Sequence, residues 1–294
     1  MKDIGGKFKF PFFERYEVGR LPDVRVTAGH PICLLYVLWS RPEYVNMLLV
    51  SLASNLIWTD VANQADVVLM TDEQMDVSPI MDHYAGIQLL RRPRPLNRYL
   101  AMCDPFLKRY EKVVTSCCDT YAYGKCNLYQ RVLAAPFNVA MCKPVIPVSV
   151  LNMLPKRRPL TCFPDDVSFV NAIAGLSGVS PEYFSEQATN TPWRQGCFWA
   201  ARPGHLDASL AREFYELTKL NSDETFLGVH AIKRGDPVNC WDDMPGMPDI
   251  RINFDPRILE YETPMLAHPF TGTGLQAATA YPIIEAFLRK VLAC

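Results

Sequence analysis

Ile32-Cys33-Leu34-Leu35-Tyr36-Val37-Leu38-Trp39 is an unbroken apolar run of strand length, and the segments after it narrow the fold sharply. A strand without alternation is one buried on both faces, as in a parallel sheet covered by helices. Ser40 is suited to cap the next element, and Pro42 to sit in its first turn. From Glu43 the period changes. Tyr44, Met47, Leu48, Ser51, Leu52, Leu56 and Ile57 recur at three and four residues, which predicts an amphipathic helix facing a sheet. Ala65–Met70 is again of strand length and ends in Thr71-Asp72-Glu73. Strand, helix and strand joined by short connections form a parallel α/β unit, and such sheets bind ligands beyond the carboxyl ends of their strands.

A third strand is expected at Lys112–Cys117 after a helix-like segment at Asn97–Tyr110, and it delivers Cys118-Asp119 at its tip. Asp72 and Asp119 are therefore the first candidate site residues. Beyond this point prolines 136, 144, 147, 155, 159 and 164 break the chain into short elements, predicting a mixed second half. Helices return at Leu206–Leu220 and around Ile283, Phe287 and Val291. The expected organisation is a leader over residues 1–30 packed on one body over 31–294, with a nucleotide-binding half at 31–130 and an acceptor and site-completing half at 131–294.

With 294 residues and 49% hydrophobic content the chain can bury a large core, and its net charge of −1 argues against wrapping nucleic acid. Two short basic clusters, Arg91, Arg92 and Arg94, then Lys156, Arg157 and Arg158, sit beside prolines, as solvated loop charge or as contacts to a phosphate or polyanion. The ten cysteines contain no CxxC pair and are read as reduced, in a cytoplasmic protein. Pro31–Trp39, the longest apolar stretch, is too short to span a bilayer.

Other candidates are weighed against ordinary structural roles. Cys117 and Cys118 read as small buried residues. Asp223 and Glu224, after Asn221-Ser222, either begin a helix or act as catalytic acids. His230 either follows and packs against an apolar strand or belongs to a site; His268 is a further candidate, whereas His83 and His205 have no evident company. Gly272 and Gly274 form a turn or expose amides to a phosphate, without the lysine of a P-loop. Trp193, Trp199 and Trp241 offer core packing or an acceptor platform.

The order of elements, with Tyr44-x-x-Met47-Leu48-Leu49-Val50-Ser51-Leu52, the strand ending in Thr71-Asp72, and Tyr110-Glu111-Lys112-Val113-Val114 leading to an acidic tip, resembles nucleotide-sugar-dependent glycosyltransferases of the A-type fold, particularly the glycogenin-like group. The resemblance covers roughly residues 31–235. It implies a Rossmann-like α/β domain with a mixed central sheet and flanking helices. It also implies transfer of a sugar from a nucleotide-sugar donor, expected to be a UDP-sugar, to an acceptor hydroxyl. In this family an Asp-x-Asp pair grips a divalent metal and the donor diphosphate. Here Cys117 stands at the first position and Asp119 at the second.

Two carboxylates can share a hard cation such as Mn2+ or Mg2+, and a thiolate suits a softer one. The implied metal ligands are thus Asp119 with Asp72, His230 or His268, and Lys233 and Arg234 are implied as the alternative charge at the leaving diphosphate. Tyr36, Asp72, Asp119 and Gly196, the last in the Gln195-Gly196 turn, are implied around the donor, and Asp223 and Glu224 near the reacting carbon. The acceptor is open among glycan, protein, lipid and modified nucleic acid. Two alternatives stand: a binding protein that keeps the fold without turnover, and a nucleotidyltransferase, which would call for a triphosphate loop that is not evident after the first strand.

Overall fold

The computed structural model describes residues 25–38, 43–143, 147–252, 265–268 and 285–292. The leader before residue 25, Ser40 and Pro42, the Gly272 and Gly274 turn and Ile283 lie outside the described residues. The chain is α/β, with a mixed seven-stranded sheet ordered β3-β2-β1-β4-β7-β6-β8 and a smaller sheet ordered β5-β10-β9. The strands are β1 (Ile32–Leu38), β2 (Asp66–Thr71), β3 (Gln88–Arg91), β4 (Lys112–Ser116), β5 (Tyr121–Tyr123), β6 (Val139–Cys142), β7 (Gln195–Ala201), β8 (Asn239–Cys240), β9 (Asp249–Ile252) and β10 (Met265–His268). Helices longer than one turn are α1 (Glu43–Trp58), α2 (Leu128–Ala134), α3 (Val150–Arg157), α4 (Asp166–Ser177), α5 (Pro181–Asn190), α6 (Ala208–Thr218), α7 (Asp223–Arg234) and α8 (285–292). The chain divides into two compact units, the first comprising residues 1–96, 115–135 and 245–294, and the second 97–114 and 136–244.

In the first unit β1, β2 and β3 are parallel, with Cys33 opposite Asp66 and Val68 opposite Gln88. The uninterrupted apolar runs are buried as expected, all of β2 and all of β1 except the half-buried Val37. The helix after β1 departs from the expected two-faced pattern. Residues 47–57 of α1 are buried all round, because β5 packs along the helix. β5 in turn pairs antiparallel with β10, which runs parallel to β9. A tight turn precedes β3: Gly86 has φ +93, and a Cβ there would stand 2.1 Å from the carbonyl oxygen of Val26. Gly86→Ala combines a left-handed backbone with a backbone clash and is expected to cost at least about 2–3 kcal/mol in urea denaturation.

In the second unit β7 is antiparallel to β6, and β6 is parallel to β8. Helices α3, α4, α5 and α7 pack on one another. Capping chemistry sets their starts: the side chain of Ser149 accepts from Asn152 N, Asp165 closes a capping box with Ser168, and Ser180 and Ser222 accept from Tyr183 N and Thr225 N. The helix-like expectation for Asn97–Tyr110 resolves into a single turn at Arg98–Ala101 and a 3-10 segment at Pro105–Arg109. Pro105 accounts for the break, since the residue before a proline is disfavoured in the helical region. His230 follows no strand; it lies in the third turn of α7.

Candidate functional site

In the first unit the strand ends carry Asp72 and Asp119. Asp72 is buried and fully occupied in local structure. Its Oδ1 accepts from Gln74 N at 2.8 Å and Met75 N at 3.1 Å, and its Oδ2 pairs with Arg94 Nε at 3.0 Å. Arg91 donates to the carbonyls of Asp72 and Met75 at 2.6 and 2.7 Å, so two arginines of the first basic cluster brace this turn.

Asp119 is also buried, in a turn closed by Thr120 N donating to Cys117 O at 3.1 Å. A polar network within the core fixes that turn to α1. Ser51 Oγ donates to Thr120 O at 2.6 Å and meets Tyr36 Oη at 3.1 Å. Asn55 Nδ2 donates to Tyr36 Oη at 3.2 Å, and Tyr129 Oη donates to Asn55 Oδ1 at 2.9 Å. Ser54 Oγ accepts from Ala122 N at 2.9 Å. Tyr36 thus lies inside the core, where desolvation pushes its phenol far above the ordinary range. The sequence signal for this network was present but unread: Ser51, Ser54 and Asn55 interrupt the apolar face of α1. Ser51→Ala removes the donor to Thr120 O and the hydroxyl that meets Tyr36 Oη, and is expected to lower stability by about 1–3 kcal/mol, measured by chemical denaturation.

In the second unit a carboxylate pair opens α7. Asp223 is 3% exposed; its Oδ2 forms an ion pair with Arg98 and accepts from Trp199 Nε1 at 3.3 Å. Its Oδ1 is buried and has no hydrogen-bond partner. Desolvation raises this carboxyl to about 6, against the opposing pull of Arg98 and with a further push from Glu224. Glu224 is half-buried, accepting from Gly196 N at 3.2 Å through Oε1 and from Ser222 Oγ at 3.0 Å through Oε2.

Gly196 belongs to β7 rather than to a free turn, and its missing side chain matters. A Cβ there would lie 3.1 Å from Asp223 Cβ and 3.4 Å from Glu224 Oε1. Arg98 is the residue that sequence reasoning missed. Nothing in its neighbourhood in the chain points to Asp223.

The other end of α7 is a separate cluster. His230 is buried, and its Nε2 accepts from Asp207 N at 3.3 Å, so the ring is held neutral; burial, then His205 and Arg234, lower it to about 4. His205 has company after all, pairing with Asp236 at 2.9 Å. Lys233 lies 3.7 Å from Asp207, and Arg234 donates to the carbonyl of His205 at 3.3 Å. At about 1.5 Å per residue, Lys233 and Arg234 stand some 15 Å along the helix from Asp223 and Glu224.

His268 ends β10, and the glycine-rich stretch after it is outside the described residues. Among the described residues no group of three His, Cys, Asp or Glu side chains is arranged to hold a metal. The lone pair His230 would need for a metal is engaged. The implied Asp119 and His230 pair therefore does not fit a divalent cation. Trp193, Trp199 and Trp241 are all buried and form core rather than an exposed platform.

No family model matches the chain, and no curated protein sequence does either. Among solved structures it is similar to core-mannan synthase A (CmsA/Ktr4) from Aspergillus fumigatus in its Mn/GDP form, with TM-score 0.45 and 12% identity over 75% of this chain and 73% of that one. It is also similar to the mannosyltransferase Ktr4p from S. cerevisiae in complex with GDP, with TM-score 0.41 and 12% identity over 76% and 74%. The apo bifunctional glycosyltransferase WbbM gives TM-score 0.41 and 11% identity over 79% of this chain, which spans 41% of that protein. At these scores the likeness assigns no residue, and the α/β class with a mixed sheet rests on the chain's own strand order and register.

Proposed function

We propose that the protein is a nucleotide-sugar-dependent glycosyltransferase of the A-type fold, moving a sugar to an acceptor hydroxyl, with Glu224 and Asp223 as its catalytic carboxylates. The observation that carries this reading is the pair at the start of α7. One carboxylate is half-buried, and the one beside it is buried, is pushed up to about 6 by desolvation and keeps an oxygen without a hydrogen bond. A hydroxyl must lose a proton as it attacks the anomeric carbon, and the nucleoside diphosphate leaves with the bonding pair. Glu224 takes that proton as general base, which implies inversion. Asp223 behind it, balanced by Arg98, sets the charge felt at Glu224. Asp119, at the tip after the Tyr110-Glu111-Lys112-Val113-Val114 segment, is assigned to the donor diphosphate on the strength of the motif resemblance. Among the described residues no helix is long and apolar enough to cross a membrane.

The test is a panel of nucleotide sugars offered with and without manganese, with binding followed by calorimetry and donor hydrolysis by release of the nucleoside diphosphate. Glu224→Gln is expected to slow turnover by about 10²–10⁴-fold with donor binding intact. Asp223→Asn is expected to remove the acid limb of the rate profile near pH 6. Absence of binding to every donor overturns the reading. Donor binding with no hydrolysis by the wild type supports a binding protein instead.

A further inference from the structure

Two thiols on neighbouring strands of the second unit stand within reach of each other. Cys142 ends β6 and Cys197 lies in β7, with their Sγ atoms 3.5 Å apart. The pairing of these strands slips between Ala140 and Cys142. Ala140 opposes Ala200, whereas Cys142 opposes Gln195, so Cys197 falls inside the irregular stretch. A bulged strand carries residues outside the regular ladder, which gives the backbone latitude that a regular pair lacks. Cys142 Sγ also contacts Phe198 O at 2.9 Å, which holds it on the β7 side. The other buried thiol of this region, Cys240, is directed at Asp242 Oδ2 at 3.4 Å.

We propose that Cys142 and Cys197 are a reversible thiol–disulfide couple that controls the start of α7. The sulfurs must close by about 1.5 Å to reach the bonded distance, and the bulge supplies that freedom. Cys197 is 6% exposed and Cys142 is 0% exposed, so the oxidant meets Cys197 first. With a peroxide, the Cys197 thiolate attacks one oxygen, the O–O bond breaks, and a sulfenic acid and hydroxide result; the hydroxide takes the proton released when the thiol ionised and becomes water. The Cys142 thiolate then attacks that sulfur; the S–O bond breaks and hydroxide leaves to become a second water. Two thiols and one hydrogen peroxide thus give one disulfide and two waters. A dithiol reverses the change.

Control follows from what flanks Cys197. Gly196 N donates to Glu224 and Trp199 Nε1 to Asp223, so closing the disulfide displaces the strand that holds both carboxylates. This consequence rests on the glycosyltransferase reading, whereas the disulfide itself does not.

The experiment oxidises native protein with hydrogen peroxide, quenches with catalase, then denatures in excess iodoacetamide and maps peptides by mass. A Cys142–Cys197 linked peptide, two hydrogens lighter than the separate thiol peptides and lost on dithiothreitol treatment, is expected. In Cys197→Ser, Cys142 is expected to stay alkylatable. If both thiols remain alkylatable after the exposed Cys162 is fully oxidised, or if Cys142 is protected equally in Cys197→Ser, the couple is overturned. Donor turnover is expected to fall at least tenfold on oxidation, recover with dithiothreitol, and resist oxidant in Cys142→Ala. Undiminished turnover of fully linked protein overturns the control. Because linkage is read by mass alone, a protein with no turnover in any form sinks the enzyme reading and leaves the couple standing.

Discussion

Arg98→Met is expected to lower stability by about 3–5 kcal/mol at pH 8, and by much less near pH 5. The ion pair it breaks is deeply placed, with Arg98 19% and Asp223 3% exposed. Methionine fills most of the same space and leaves an ionised carboxylate in a dry site, where a charge without its partner is costly. The sign of the pH effect follows from the direction of the shift. Desolvation raises Asp223 to about 6 in the folded protein, above its ordinary value of 3.8, so the fold favours the protonated form. Its penalty is absent below the unfolded value, grows through the window between the two, and is complete above about 6. Without Arg98 the folded value climbs further, which widens the window upward. Urea midpoints of wild type and variant from pH 5 to 8 measure this. A deficit that does not shrink on acidification would show that Arg98 acts by packing alone.

His230 gives the second large effect, with the opposite sign. Its folded value of about 4 lies below the ordinary 6.5, so the unfolded chain takes up a proton that the folded one refuses. The stability it contributes is present above about 6.5 and is lost as pH falls toward 4, about 3 kcal/mol in all. His205, Arg234 and Asp207 are its charged or titratable neighbours, and Asp207 N–H holds the neutral ring. Asp223 moves the other way over nearly the same range, so the wild-type profile is flatter than either group alone would make it. His230→Gln keeps an acceptor for Asp207 N–H. Relative to wild type it is expected to gain about 2.5 kcal/mol between pH 7.5 and pH 4.5, read from paired denaturation curves. Parallel profiles for the two proteins would refute the assignment.

Legibility varied with how local the determining interaction is. β1, β2 and β4 were readable because apolar runs of strand length are a property of consecutive residues, and each was found within a residue or two of its expected place. The start of α7 was readable too, since Ser222 caps it through Thr225 N. Phe226–His230 was harder. Its short apolar run suits a strand as well as a helix, and burial of nearly the whole helix removed the polar face that would have marked it. Asp72, placed by sequence at a strand's carboxyl end as a ligand-edge or turn acid, is held in a turn braced by Arg94, a pairing that required the loop after β3 to return beside it.

Chain order by itself determined the parallel α/β opening, the acidic strand tips and the paired carboxylates at a helix start. Tertiary structure alone decided their environment. Ser51 meets Thr120 across 69 residues, Tyr99 Oη meets Leu220 O across 121, and Cys142 meets Cys197 across 55. Periodicity reports what neighbours in sequence do to the backbone. A carboxylate's proton affinity or a thiol's partner depends on desolvation and on groups brought in from distant elements, and these exist only once the chain has folded.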